Sequence, residues 1–196
     1  MTLPVVAVIV GAYATLSALA PSMPIYASAP DETARKLTET KPALNENRLY
    51  IPKINLNIAT TSESGNASVP AGGAVQRSIE SGNPKDGGNY VLAAHRFQLG
   101  YTPQQTRSNS PFYHLGQLNP GDEVYVDYDG VRYAFKITER KFVDPTAPEA
   151  EAKTDKDRLT LFSTELSGPG ATREIVVAEP VGTIVWVNGS PKLKTL

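Results

Sequence analysis

The sequence predicts a mainly β domain, an antiparallel barrel or sandwich, carried behind one N-terminal apolar helix. Three observations predict it. Sixteen prolines and fifteen glycines in 196 residues favour short strands and turns over a helical bundle. Between Arg48 and Val187, roughly seven or eight short apolar runs are bounded by turn residues, the spacing of an all-β domain. Upstream, Met1 to Pro30 carries no charged side chain, and Leu3 to Ala20 is almost wholly apolar or small.

That first stretch is long enough to span a bilayer. Pro4 lies near its start and Pro21 and Pro24 near its end, so the helix interior is unbroken. A cleaved signal peptide is the alternative, with Ala27-Ser28-Ala29 as a small-residue cleavage site. The basic segment such a peptide needs is missing, because the first charges are Asp31 and Glu32. A buried helix is the third possibility. The expected organisation is a transmembrane anchor or signal-anchor over 1–26, a linker over 27–47, a β domain over 48–188 and a C-terminal tail over 189–196. The linker is polar with weak helical character at Glu32–Leu37, and Lys192 and Lys194 read as solvated tail.

Arg48–Ile58 alternates as a strand, which Pro52 limits to an edge or a bulge. Asn89–Arg96 is a second apolar strand, and Phe97–Ser110 is a polar loop without a period. Glu123–Ile137 is the clearest hairpin. Val124, Val126 and Tyr128 alternate on one arm, and Val131, Tyr133, Phe135 and Ile137 on the other. Asp129-Gly130 between them favours a type I′ turn. Ala147–Lys153 suits a turn or two of helix, with Pro148 near its first position. Leu159–Ser163, Glu174–Ala178 and Thr183–Val187 complete the strands.

Composition narrows the chemistry. A net charge of −1 and a pI near 6.1 give no basic field for nucleic acid. With no cysteine, disulfides, cysteine-based zinc sites and a thiol nucleophile are excluded. Two histidines are too few for a His-rich metal site, and no metal or cofactor is expected. His95 ends an apolar strand and is the side chain most apt to titrate near neutrality, or is a rim histidine. His114, in an aromatic turn, reads as packing or solvent-facing. Ser163 and Thr164 are hydroxyl nucleophiles or serve the backbone at a strand end, and no G-x-S-x-G elbow is present. Arg173 suits an anion or carboxyl oxygen, or is a strand-edge charge. Asp144, Glu149, Glu151, Asp155 and Asp157 lack the spacing of a calcium loop and read as a solvated acidic face.

Taken together, the order of these features resembles the sortases, cell-surface transpeptidases of mainly Gram-positive bacteria. The resemblance runs from about Arg48 to Gly182. Arg48-Leu49-Tyr50-Ile51-Pro52-Lys53-Ile54 is similar to the family's first strand, and Asn89–Arg96 to the strand that delivers the catalytic histidine. Phe112–Leu118, Asn119-Pro120-Gly121-Asp122 and the hairpin match a further stretch, and Val143-Asp144-Pro145 the turn after it. Leu159-Thr160-Leu161-Phe162-Ser163-Thr164 falls on the nucleophile motif, and Arg173 on the catalytic arginine.

The resemblance implies a closed β-barrel of about eight strands with one or two short helices. It assigns catalytic roles to His95, Thr164 and Arg173. The substrate would be an LPxTG-like sorting signal, cut at its Thr–Gly bond to give an acyl-enzyme. An amine acceptor, a peptidoglycan precursor or a pilin lysine, would resolve it. The domain would be tethered to the cell membrane by one span and lie outside it, with Phe97–Ser110 and Phe142–Asp157 flanking the groove. Three positions depart from the pattern: Thr164 replaces the nucleophilic Cys, Ser163 the usual Thr, and Ala94 a frequent Gly. A hydroxyl is a far weaker acid than a thiol and must lose its proton as it attacks. The γ-methyl also restricts χ1. Two other readings stand beside this one: a pseudo-sortase that binds sorting-signal peptides without cutting them, and a non-catalytic surface β-barrel.

Overall fold

A computed structural model describes residues 2–23, 32–62, 68–144, 150–164 and 172–196, without the side chains of Thr2, Leu3 and Thr164. Among these residues ten strands form: β1 (Arg48–Ile51), β2 (Leu56–Ser62), β3 (Ala74–Gln76), β4 (Gly82–Asn83), β5 (Gly87–Ala94), β6 (Glu123–Tyr128), β7 (Val131–Val143), β8 (Arg158–Thr164), β9 (Arg173–Val187) and β10 (Ser190–Thr195). Three helices accompany them: α1 (Thr2–Leu19), α2 (Glu32–Glu39) and α3 (Pro103–Ser108).

Eight strands close on themselves in the order β9-β7-β6-β1-β2-β3-β5-β8, with β8 pairing back to β9. Strands β10 and β4 extend the sheet outside this ring. Closure removes the open edges that a sheet of this length would otherwise expose. The lumen is filled by one face of each strand, with Leu49, Ile51, Leu92, Val124, Val126, Leu159, Leu161 and Val176 fully buried. Phe112, Leu115 and Leu118, from the aromatic turn before β6, join that core. The β6–β7 turn is the expected two-residue link, with Tyr128 paired to Val131 and positive φ at Asp129 (50°) and Gly130 (76°).

The structure corrects several expectations. Arg48–Ile58 is two antiparallel strands, not one. Pro52–Ile54 forms a 3₁₀ turn, and Asn55 takes a left-handed conformation with φ 50°. The barrel is not wholly antiparallel, since β2–β3 and β5–β8 are parallel pairs. Parallel neighbours need a long crossover, and the segment between β5 and β8 supplies one that contains α3, β6 and β7. The periodless loop holds α3, started by Pro103 and capped by Thr102 Oγ1, which accepts from Gln105 N at 3.1 Å. The last two predicted strands are one, β9, which bends around Gly182. A Cβ there would sit 2.1 Å from the Lys194 carbonyl oxygen. Residues 190–195, read as tail, form β10 because β9 offers it a free edge.

The linker is structured too. Asn55 Oδ1 accepts from Thr33 N (3.1 Å) and Thr33 Oγ1 (2.8 Å) at the start of α2. Arg132 donates to the Leu37 carbonyl at 2.6 Å near its end. Arg132 is buried, pairs with Asp127 through two bonds of 2.6 and 2.7 Å, and lies over the Tyr50 and Trp186 rings. The span Pro4–Ser22, built on α1, is long and apolar enough to cross a membrane. Ala27-Ser28-Ala29 and residues 145–149, which include the start of the expected short helix, lie outside the described residues.

Candidate active site

Strand alternation decides which residues share a face. In β5, β8 and β9 the side chains of Tyr90, Leu92, Ala94, Leu159, Leu161, Val176 and Ala178 fill the lumen. Their alternates Val91, Ala93, Phe162, Ile175 and Val177 form a second apolar cluster on the outer face, with Val75 and Ala150 and with Val69 and Val143 at its margin.

The three expected site positions come together at one end of this outer face. Ala94 of β5 is paired with Ser163 of β8, so the following residue, His95, stands level with position 164. Position 164 is paired in turn with Arg173 of β9. Position 164 shares the alternation of Thr160 and Phe162. The three positions thus occupy adjacent strands on one level.

The neighbours of His95 and Arg173 fix their settings. His95 Nε2 lies 3.1 Å from the Val69 carbonyl oxygen. A carbonyl only accepts, so Nε2 carries a proton. The Arg173 guanidinium lies 4.7 Å over the Phe162 ring, a cation–π contact that orients it while leaving it partly exposed. Its Nη1 lies 4.0 Å from Glu151, whose other oxygen lies 3.6 Å from Arg77. Glu151 itself is tied down: Ser81 Oγ donates to its carbonyl at 2.6 Å. Asn89 Nδ2 donates to the Ala150 and Ala152 carbonyls at 3.1 and 2.9 Å, and its Oδ1 accepts from Thr160 Oγ1 at 2.7 Å. Beside these residues lies an open depression of about 360 Å³, lined by Val143, Ala150, Thr160, Ile175 and Val177 between Lys141 and Arg158.

The inner face at the same level is charged rather than apolar. Glu174, fully buried, accepts from Arg140 at 2.9 Å and forms a second ion pair with Arg96. A Cβ on Gly116 would come within 3.4 Å of both Arg140 and Glu174, so this small residue makes room for the pair. Ser163 is buried on this side, with Oγ 3.5 Å from the Glu174 carbonyl. That removes Ser163 from the outer face as a nucleophile.

Other sequence expectations resolve differently. The acidic patch is not simply a solvated face, because Glu151 faces two arginines and Asp157 Oδ1 accepts from Gly88 N at 2.9 Å. Among the described residues no cluster of His, Asp and Glu could hold a metal. His114 is a structural contact with the 3₁₀ turn Ala20–Ser22 that follows α1: Nε2 donates to the Pro21 carbonyl and Nδ1 accepts from Gln117, both at 2.9 Å. Burial is the main cause that holds its imidazole below the ordinary histidine range. The nearby Arg107 charge acts the same way, against the Pro21 bond. The loop 165–171 lies outside the described residues. Glu174, Asn89 and Gly116 were not anticipated. Glu174 has the inward alternation of Val176 and Ala178, which placed it inside, but nothing local named its partners.

This closed barrel sets a histidine and an arginine on either side of a strand-end position. The sortase domain family matches residues 49–181, and the chain belongs to the sortase family. Sortase A of Bacillus anthracis is 24% identical over 136 residues, 69% of this chain. The chain spans about 60% of the length of that relative. Among solved structures, sortase A of Listeria monocytogenes superposes with a TM-score of 0.55 at 22% identity, over 76% of this chain and 90% of that one. Sortase E1 of Streptomyces coelicolor, solved with a tripeptide in its active site, gives 0.58 at 18% identity, over 74% and 90%. A Clostridium perfringens sortase D5 transpeptidase gives 0.57 at 20% identity, over 80% and 91%. These likenesses establish the sortase fold.

Proposed function

We propose that this protein is a membrane-tethered, transpeptidase-type sortase, with its barrel outside the cell membrane and its peptide site at the outer ends of β5, β8 and β9. The substrate is an LPxTG-like sorting signal laid along the outer-face depression. The acceptor is an amine, from a peptidoglycan precursor or a pilin lysine. The observation that carries this reading is the registration of His95, position 164 and Arg173 on three adjacent strands.

In this reading the nucleophile at position 164 attacks the carbonyl carbon of the signal's Thr–Gly bond. Arg173 faces the oxygen on which negative charge develops. The C–N bond breaks and the leaving amine takes a proton from His95. Threonine weakens the first step, because its hydroxyl proton must leave as the bond forms. A neutral His95 acting as base would then be needed, with its proton-bearing Nε2 held at Val69. The rate with Thr164 is therefore several orders of magnitude below that of a thiol enzyme.

The threonine itself favours a second reading, a pseudo-sortase that holds sorting-signal peptides without cleaving them. One experiment separates the two. The full chain in detergent micelles is incubated with a labelled LPxTG-type peptide and an amine, as parent and as Thr164→Cys. The expected result is a gain of transpeptidation in Thr164→Cys that His95→Ala or Arg173→Ala abolishes. Peptide binding without turnover by the parent would support the pseudo-sortase. No gain and no binding by either form would sink the site reading.

A further inference from the structure

The carboxylate of Glu151 sits where the fold does not need it. Its segment is already fixed through the backbone. Ser81 Oγ donates to the Glu151 carbonyl at 2.6 Å, and Asn89 Nδ2 to the Ala150 and Ala152 carbonyls on either side at 3.1 and 2.9 Å. Asn89 is fully buried and is itself held by Thr160 Oγ1 of β8. The Glu151 side chain is left between two guanidiniums. One oxygen lies 3.6 Å from Arg77 Nε and 3.5 Å from Ser78 Oγ, the other 4.0 Å from Arg173 Nη1. Contacts this long lie at or beyond the limit of a hydrogen bond. The three charged side chains are 22 to 29% exposed, and such pairs add little to stability.

The arrangement suits orientation instead. Arg173 lies over the Phe162 ring at 4.7 Å. A ring beneath a guanidinium fixes its height above the outer face but not its direction. A carboxylate beside Nη1 removes that freedom. Arg77 is fixed at its root, since its N–H donates to the Val91 carbonyl of β5 at 2.9 Å. It draws on the other oxygen of Glu151 and keeps the carboxylate from closing on Arg173. At 4.0 Å no hydrogen bond has to break when Arg173 turns to a peptide oxygen.

We propose that Glu151 is the positioning residue of Arg173, holding its guanidinium ready at the outer ends of β8 and β9, with Arg77 as the counter-charge that keeps the carboxylate at this distance. This rests on the sortase-site reading above. Without the carboxylate, the peptide itself has to order Arg173 on binding, at a cost in affinity. Once bound, the peptide holds the guanidinium. The loss therefore falls on KM and leaves kcat nearly unchanged.

The test uses the full chain in detergent micelles, in two backgrounds. In Thr164→Cys, transfer of a labelled LPxTG-type peptide to an amine is measured with and without Glu151→Gln, which keeps shape and polarity but removes the charge. The expected result is a KM raised about fivefold, a kcat within about twofold and an unchanged urea midpoint. In the Thr164 parent, peptide affinity is read by fluorescence anisotropy for Glu151→Gln, Arg173→Ala and the two together. Glu151→Gln should weaken binding about fivefold alone and add nothing to Arg173→Ala. An equal loss in the Arg173→Ala chain would mean that Glu151 meets the peptide or serves the fold directly, and would overturn the positioning role. Turnover and binding that are both indifferent to Glu151→Gln would overturn the role and leave the site standing. If Thr164→Cys gains no turnover and neither form binds peptide, the site reading fails and the role of Glu151 fails with it.

Discussion

The two faces of β8 and β9 at one level of the barrel make an instructive pair. Inward, Ser163 and Glu174 are sealed, and Glu174 is gripped by Arg96 and Arg140. Outward, one residue along, Arg173 rests on Phe162 and shares Glu151 with Arg77, partly open to solvent. The inner arginines are held by an ion pair and hydrogen bonds and cannot be lost cheaply. The outer one is positioned by softer contacts and can turn to a ligand. One pleat therefore separates a sealed ion-pair network from a partly exposed guanidinium.

Substitutions can break or sharpen that contrast. Glu174→Ala leaves two cations facing a dry pocket. It is expected to cost about 3 kcal/mol, the low end for breaking a buried pair because both arginines are partly exposed, read as a lowered urea midpoint. Asn89→Ala, which frees the Ala150 and Ala152 carbonyls and Thr160 Oγ1, is expected to cost about 2 kcal/mol. It also loosens Glu151, so in the Thr164→Cys background it should raise KM for the peptide. Arg173→Ala should shift stability by less than about 1 kcal/mol yet remove turnover in that background. Equal destabilisation by Arg173→Ala and Glu174→Ala would erase the distinction between the faces.

The smallest effect lies away from both faces, at His114. Its folded imidazole titrates below the ordinary value of 6.5, while the unfolded side chain titrates near it. The unfolded state thus binds more protons as the pH falls, and stability present above pH 6.5 is lost below it. Protonated Nδ1–H would also confront the Gln117 amide that now donates to it. Thermal unfolding of parent and His114→Gln at pH 7.5 and 5 should show a smaller acid-induced drop in the variant.

Parts of this architecture were legible from residues alone. The β6–β7 hairpin was, because Asp129-Gly130 is a strong local turn signal between two alternating arms. The places of His95 and Arg173 at the ends of apolar strands were legible too, while their part in a site came only from the sortase resemblance. The break inside Arg48–Ile58 was hidden. Leu49 and Ile51 before the turn and Leu56 and Ile58 after it all reach the lumen, so apolar residues recur on both sides of it and mask the change of phase from odd to even positions. Asn55 was the signal, as a residue that tolerates the left-handed region. The partners of Glu174 were out of reach, since Arg96 is 78 positions away and Arg140 is 34. Strand β10 was unreadable because Leu193 is the only large apolar residue in it, and an open edge of β9 supplies the rest.

The parallel pairing of β5 with β8 has a kinetic consequence. Its two strands are joined only by a crossover that carries α3, β6 and β7, so the pair forms only after a long stretch of chain has been gathered in. Non-local contacts of this kind slow folding, to the millisecond-to-second range for comparable barrels. Strand β8 is the piece that closes the ring, and it carries position 164 between His95 and Arg173. Barrel closure and assembly of the three positions are then one event, and a half-folded chain does not bring them together.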